Sequence, residues 1–510
     1  VSARTTWDTI ARLAIAAWHS RLGMRRTAEH LAHYETAPED RIPFIKKVAY
    51  GLGAFVNNML AAAIGGMLII LNLGFGVNPA LVGLASALPR VTDALTDPLM
   101  GFISDNTRSR WGRRRPYLFL GAILAGVTYA ALWWLPVGKS EMWYFWYFTI
   151  GSTIFYFGYT VFATPWVALG YELTPDYHER TRLMGVQNFI GQLAYLVSPW
   201  FLWIMTHKPW FATSAEGARG LAVGIGIVAI VIGIIPAFAL RERFVQGVVE
   251  PPSDGGTAAL RRNFASFFKG FGATLRTKPF LKLCGATFLV FNGFIMISSF
   301  QAYVIIYYVF GGDQEMGARY AGYNGTLGAF STFGVIFIIT WLATQIGKRK
   351  AFFFSTGVSI LGYGLKWFCY DPDRPWLVMI PAPLIAFGLG GLFTLMGAMI
   401  ADVVDEDEIT TYQRREGMFG SIYWWVVKVG MAAALAAGGF LLNATGFDVA
   451  LAGEQTARTL YLLRVFDVVI PMITSGIAIW LIASYPITEE RAHGVRVELE
   501  KRRGAAAVAT

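Results

Sequence analysis

Twelve stretches of mostly apolar residues follow one another between residues 46 and 485, each of roughly the 20 residues that an α-helix needs to cross a bilayer. Their approximate limits are 46–74, 78–104, 116–137, 142–171, 182–206, 218–240, 280–311, 317–345, 350–370, 375–403, 417–443 and 459–485. In hydrocarbon every backbone N–H and C=O must be satisfied inside its own segment, so a pattern of long apolar runs leaves one fold class. The expectation is an all-α integral membrane protein with twelve transmembrane helices. Composition supports this: 55% of the 510 residues are hydrophobic and only 15% are charged, where soluble domains carry about a quarter charged. The 17 tryptophans suit the aromatic belts at the two membrane surfaces.

Arg and Lys set the expected orientation. The loop after span two carries Arg108, Arg110, Arg113, Arg114 and Arg115, and the loop after span eight carries Lys348, Arg349 and Lys350. Residues 241–279 and the tail are also rich in cations, whereas GFGVNP (74–79) and GGDQE (311–315) have none. The positive-inside rule then places both termini in the cytoplasm of a multi-pass cell-membrane protein. The formal net charge of +10 reflects that bias and an attraction to anionic lipid, not nucleic-acid binding. Cys284 and Cys369 lie in apolar segments, with neither metal-ligand spacing nor a disulfide framework.

The chain divides into five parts. Residues 1–43 form an N-terminal segment with Trp7, Ile10, Leu13, Trp18 and Leu22 on one helical face, the pattern of an interfacial helix; Met24 equally allows a later translation start. Residues 44–240 form a first six-helix half. Residues 241–279 form a cytoplasmic linker, turn-rich at EPPSDGG (250–256), then amphipathic at NFASFFKGFGATL (263–275). Residues 280–487 form a second six-helix half, and 488–510 a cytoplasmic tail. The halves repeat each other: SRWGRRRPYLFLGAI (109–123) is echoed by TQIGKRKAFFFSTGV (344–358), and HERTRLMG (178–185) by YQRREGMF (412–419). Six-plus-six duplication is the pattern of rocker-type carriers, with the substrate site near the midplane.

Two carboxylates stand out against the apolar background. Asp93 and Asp97 sit one helical turn apart in LVGLASALPRVTDALTDPLMGFI (81–103), about 6 Å along the axis. Each costs about 2.5–3.5 kcal/mol at the bilayer centre even on the lenient insertion scale, and an intramembrane acid is a functional-site candidate by default. A cation that enters and leaves would relieve their repulsion; a permanent ion-pair network is the structural alternative. Enzyme signals are missing: the six histidines lie outside the spans or at their ends, and no phosphate-cradling loop occurs.

TDALTDPLMGFISDNTRSRWGRRRP (92–116) and ADVVDEDEITTYQRREGMFGSIYWWVVKVG (401–430) resemble the glycoside–pentoside–hexuronide:cation symporters, major-facilitator carriers of the melibiose-carrier type. The resemblance runs from Lys47 to span twelve and implies the major-facilitator fold. It implies a cation site at Asp93, Asp97, Thr160 and Lys428, holding Na⁺ or H⁺. It places Asn57, Asn58, Tyr159, Trp166, Gln187, Asn188 and Gln192, with Tyr423 and Trp424, around the substrate. The charged sugar clamp of the melibiose type is replaced here by Asn57 and Asn58, Ala163 and Asn188. At the inner surface Asp105, Arg108, Arg110, Arg113, Arg114, Arg115, Asp402, Arg414 and Arg415 are candidates for a conformational clamp. The expected activity is cation-coupled symport of a sugar or neutral glycoside by a monomer in the bilayer. No cofactor beyond the coupling ion, no resident metal and no nucleic-acid partner are expected. A lysolipid-like amphiphile as cargo, or a non-transporting membrane sensor, are the alternatives.

Overall fold

The computed structural model describes residues 38–107, 109–174, 177–242, 276–412 and 416–508, with 272 and 274. Arg108, Arg414 and Arg415, nearly all of the two expected interfacial helices, and the Asp105 side chain lie outside the described residues.

Twelve long helices form the body: α1 (Phe44–Met67, continued by Ile69–Leu73), α2 (Pro79–Asn106), α3 (Arg115–Leu132), α4 (Glu141–Glu172), α5 (Tyr177–Val197, continued by Phe201–Thr206) and α6 (Ser214–Gly233, continued by Ile235–Ala239); then α7 (Lys278–Tyr303, continued by a π-helical turn Val304–Val309), α8 (Gln314–Ile346), α9 (Lys348–Cys369), α10 (Pro381–Thr411), α11 (Glu416–Ala444) and α12 (Ala457–Ala483). A thirteenth, α13 (Glu489–Val508), lies in the tail expected only as a segment.

Local chemistry sets many of the ends. The Asn78 side chain accepts the Ala80 N–H at 2.9 Å and Pro79 opens the first turn of α2. Ser140, Thr213, Asp313 and Thr456 cap α4, α6, α8 and α12 in the same way. Gly347, at φ +83°, ends α8 in a conformation that side chains avoid.

Among the described residues, nine of the helical spans are long and apolar enough to cross a membrane by length and composition. Helices α2, α4 and α9 are not among them although they are as long. They carry Asp93 and Asp97, a Tyr- and Thr-rich face, and Lys366, respectively. In a bundle such residues turn inward, where lipid does not meet them.

The packing repeats between halves. In the first, α1 packs on α5 and α6, α4 on α2 and α3, and α3 on α6; in the second, α7 packs on α11 and α12, α10 on α8 and α9, and α9 on α12. Helices α2 and α11, and α5 and α8, join the two halves.

The apolar cores show where that junction is closed. One core at the end away from the Arg-rich loop runs through both halves, from Leu60 and Tyr129 to Tyr303 and Phe447. Toward the cation-rich end it splits. One cluster around Tyr50, Leu118 and Trp166 belongs to the first half, and another around Phe280, Met396 and Tyr485 to the second.

Candidate functional site

The interface between α2, α4 and α11 gathers the intramembrane charges. Asp93 is 1% exposed. Thr160 of α4 directs its hydroxyl at both carboxylates, 3.1 Å from Asp93 Oδ1 and 3.2 Å from Asp97 Oδ1. Lys428 comes from the other half: its ammonium is bonded to Asp97 Oδ2 and stands 3.1 Å from Asp93 Oδ2. Asp93 Oδ2 is itself buried, with that ammonium as its neighbour. The four residues expected at the cation site therefore meet within one cluster. A carboxylate pair this deep requires a cation, and one lysine serves both.

Sequence reading missed several members of this neighbourhood. Thr164, one turn after Thr160, donates to Asp97 Oδ1 at 3.3 Å. Thr96 donates to the Asp93 carbonyl at 3.1 Å and lies 3.4 Å from the Thr160 hydroxyl. Arg90, one turn before Asp93, lays its guanidinium 4.5 Å above the Tyr156 ring. The rule that singles out intramembrane acids applies equally to Arg90.

The expected substrate residues divide. Tyr159 donates to Asn57 Oδ1 at 2.8 Å, Asn57 to Asn58 Oδ1 at 3.3 Å, and Asn58 to the Gly191 carbonyl at 3.0 Å. These form one polar chain across α4, α1 and α5. Gln187, Asn188 and Gln192 lie on α5, Asn188 exposed and the two glutamines partly buried. Trp166 lies apart, in the α1–α4 contact: its indole N–H donates to the Tyr50 carbonyl at 3.1 Å, its ring stacks on Tyr50, and Gly53 leaves room for it. Tyr423 is buried and accepts from Thr287 at 3.3 Å. Trp424 is half exposed and stacked on Phe393.

Arg113, Arg114, Arg115 and Asp402 each have a partner within their own half. Arg113 and Arg114 pair with Glu172 at the end of α4. Arg115 donates to the Ala237 carbonyl at 2.7 Å, while Arg110 is exposed. Glu242 accepts the backbone N–H groups of Arg113, Arg114 and Arg115 at 2.7–3.2 Å, at the positive end of α3. In the second half Lys348 pairs with Asp402 at 2.7 Å, and Arg491 ties α13 to Glu406. Lys47 meets Glu179 at 2.6 Å. Burial pushes the Glu179 carboxyl up, but bonds from Lys47, the Ile42 N–H and Arg182 outweigh it and hold the group below the ordinary glutamate range.

At the opposite end the bonds cross between halves. Tyr303 donates to Asn72 Oδ1 at 2.9 Å, Asn78 to Asn443 Oδ1 at 3.1 Å, and Trp200 to Thr326 at 2.9 Å; His207 meets Glu315 at 2.8 Å. Gly83 and Gly439 let the α2 and α11 backbones touch there. Toward the cation-rich end the described apolar residues cluster within each half. Asp97, one turn nearer to it than Asp93, keeps 36% of its side chain exposed.

A second charged cluster lies inside the second half. Lys366 of α9 donates to both Asp467 oxygens at 3.0 and 3.1 Å, and Tyr370 donates to Asp467 Oδ2 at 2.5 Å. The Arg464 guanidinium lies 4.1 and 4.3 Å from the Tyr308 and Trp367 ring centres.

The family model described as MFS/sugar transport protein matches residues 49–489. The chain belongs to that family, as a glycoside–pentoside–hexuronide:cation symporter-type member of the major facilitators. It is similar to the isoprimeverose transporter of Lactiplantibacillus pentosus, 25% identical over 88% of this chain and 90% of the relative. It is also similar to the sodium-dependent lysophosphatidylcholine symporter 1-B of Danio rerio, 24% identical over 93% and 92%. Among solved structures a D-xylose–proton symporter superposes with a TM-score of 0.62 at 14% identity, covering 88% of this chain and 99% of that one. The major-facilitator fold is thereby established, and the member is a multi-pass membrane transporter, not an enzyme.

Proposed function

We propose that this chain is a secondary active symporter of the cytoplasmic membrane, coupling a monovalent cation to the uptake of a sugar or neutral glycoside as a monomer. The observation that carries this reading is the Lys428 contact. The ammonium of one half pairs with two carboxylates of the other at their shared seam, so cation occupancy and the fit between halves are one equilibrium. A cation bound between Asp93, Asp97 and Thr160 displaces Lys428 and frees the seam. The Asn57–Asn58–Tyr159 chain, with Asn188 on α5, offers amide donors and acceptors beside it, matched to sugar hydroxyls. Binding of cation and cargo then reinforce each other by about 1–3 kcal/mol, or 5–150-fold, and the linkage is reciprocal. The two halves rock between states, the present one open toward the cation-rich end, which the positive-inside rule makes cytoplasmic together with both termini.

Counterflow in proteoliposomes with a glycoside panel tests this, with a Na⁺ gradient, a pH gradient or neither. Uptake raised by one gradient is expected; equal uptake in all three arms overturns the coupling. A second reading, an amphiphile as cargo, draws on the lysophosphatidylcholine relative and on the α5–α8 seam, where the Phe189 and Phe333 rings lie 6.5 Å apart. Lysophosphatidylcholine as competitor in the same assay separates the two.

A further inference from the structure

Thr164 is the member of the α2–α4 cluster for which the resemblance gives no role. Its methyl group lies toward Gly101, where an added Cβ would stand 3.8 Å from Thr164 Cγ2. Its hydroxyl turns the other way, onto Asp97 Oδ1 at 3.3 Å. Thr160 lies one turn earlier on the same face and reaches the same oxygen at 3.2 Å. Asp97 Oδ1 thus stands between two hydroxyls of α4, while Asp97 Oδ2 is held by Lys428.

We propose that Thr164 is an oxygen ligand of the transported cation and makes the site select Na⁺ over H⁺. The inference rests on the proposed symport and deepens it by naming the ion.

The physical reason is a difference in what the two ions need. A proton needs one lone pair, and a single carboxylate oxygen supplies it. A hard metal cation is held by several oxygens at once. A hydroxyl serves both states of a metal site, since it has one donor and two lone pairs. With Lys428 in place, Thr164 donates to Asp97; with the ion in place, its lone pairs turn to the metal. The additional oxygen therefore raises Na⁺ against H⁺. Thr96 supports the arrangement from behind, 3.4 Å from the Thr160 hydroxyl. The Asp93 and Asp97 Oδ1 oxygens and the Thr160 and Thr164 hydroxyls thus gather in one place, the donor set of a hard-metal site.

The test uses the purified full-length chain and Na⁺ itself, titrated as NaCl against choline chloride, with tryptophan fluorescence and calorimetry as readouts. The wild type is expected to give a saturable Na⁺ response, and D97N none. T164V keeps the shape of threonine and removes the oxygen; its half-saturating Na⁺ should rise about tenfold or more, with a cooperative thermal melt in choline showing that it folds. T164S restores the oxygen without the methyl group and should stay within about threefold of wild type. Wild-type affinity in T164V, or T164S as weak as T164V, overturns the ligand role. A wild type silent to Na⁺ but responsive to acid overturns the ion assignment and leaves the symport reading standing. A wild type silent to both, and without gradient-driven uptake, overturns the symport reading instead. If T164V does not fold, T164A and T164S carry the same comparison.

Discussion

Lys428 of α11 and Asp93 of α2 face each other at 3.1 Å across the seam between the two halves. A buried carboxylate that has lost its paired cation is destabilising by about 3–5 kcal/mol. K428M is therefore expected to melt well below wild type in choline chloride, and added NaCl should recover more of that loss than it gains in wild type. Differential scanning fluorimetry in detergent, with and without Na⁺, checks both halves of the statement. Substrate-coupled uptake should be lost in the same variant.

The Lys366–Asp467 pair is predicted to act as a static clamp between α9 and α12. Both groups are almost fully buried. K366M and D467N each leave one buried charge unmatched, at an expected cost of about 3–5 kcal/mol, while the double variant removes both and should recover most of the loss. A double-mutant cycle on thermal melts measures the coupling. Additive losses would show that the two groups do not act as a pair.

Opposite-end closure depends on backbone contact at Gly83 and Gly439. A Cβ on Gly83 would meet the Leu435 carbonyl at 2.7 Å, and one on Gly439 the Pro79 carbonyl. Backbone cannot step aside as a side chain can, so G83A and G439A should bias the protein toward the state open at that end. Spin labels at Asn78 and Asn443, whose side chains are bonded at 3.1 Å here, should report a longer distance in either variant.

Glu179 predicts an acid limit. Its folded pKa lies below the ordinary value, so its contribution is full above the unfolded glutamate pKa near 4.3 and is lost as pH falls through the lower folded value. E179Q should melt below wild type at pH 7, and the gap should narrow below about pH 4. A gap that stays constant down to pH 3 would contradict the assignment.

Much of the fold was legible because hydrocarbon allows few solutions. Spans expected at 116–137 and 417–443 appear as Arg115–Leu132 and Glu416–Ala444. The expected end at 403 of span ten falls short, since α10 continues to Thr411 and carries Asp402 and Glu406 on its last turns. Ion pairs with Lys348 and Arg491 let acids sit on a helix beyond the lipid, and hydropathy does not register them. Arg90, Asp467 and Arg464 were equally visible as intramembrane charges, but their partners were not. Trp166 shows the reverse: its residue type suits a sugar platform, and only packing reveals that Gly53 and Tyr50 enclose it.

The sequence by itself determined that this chain crosses a membrane many times and repeats a six-helix unit, because backbone polar groups in lipid must be satisfied locally and local pattern is what a sequence displays. It also marked Asp93 and Asp97 as costly enough to need a purpose. Only the tertiary structure decided what meets them. Lys428 lies 331 residues from Asp97 along the chain, and Thr164 reaches Asp97 because α4 packs on α2. Which end of the seam closes was likewise decided by contacts between helices, at glycines and asparagines whose roles no local pattern encodes.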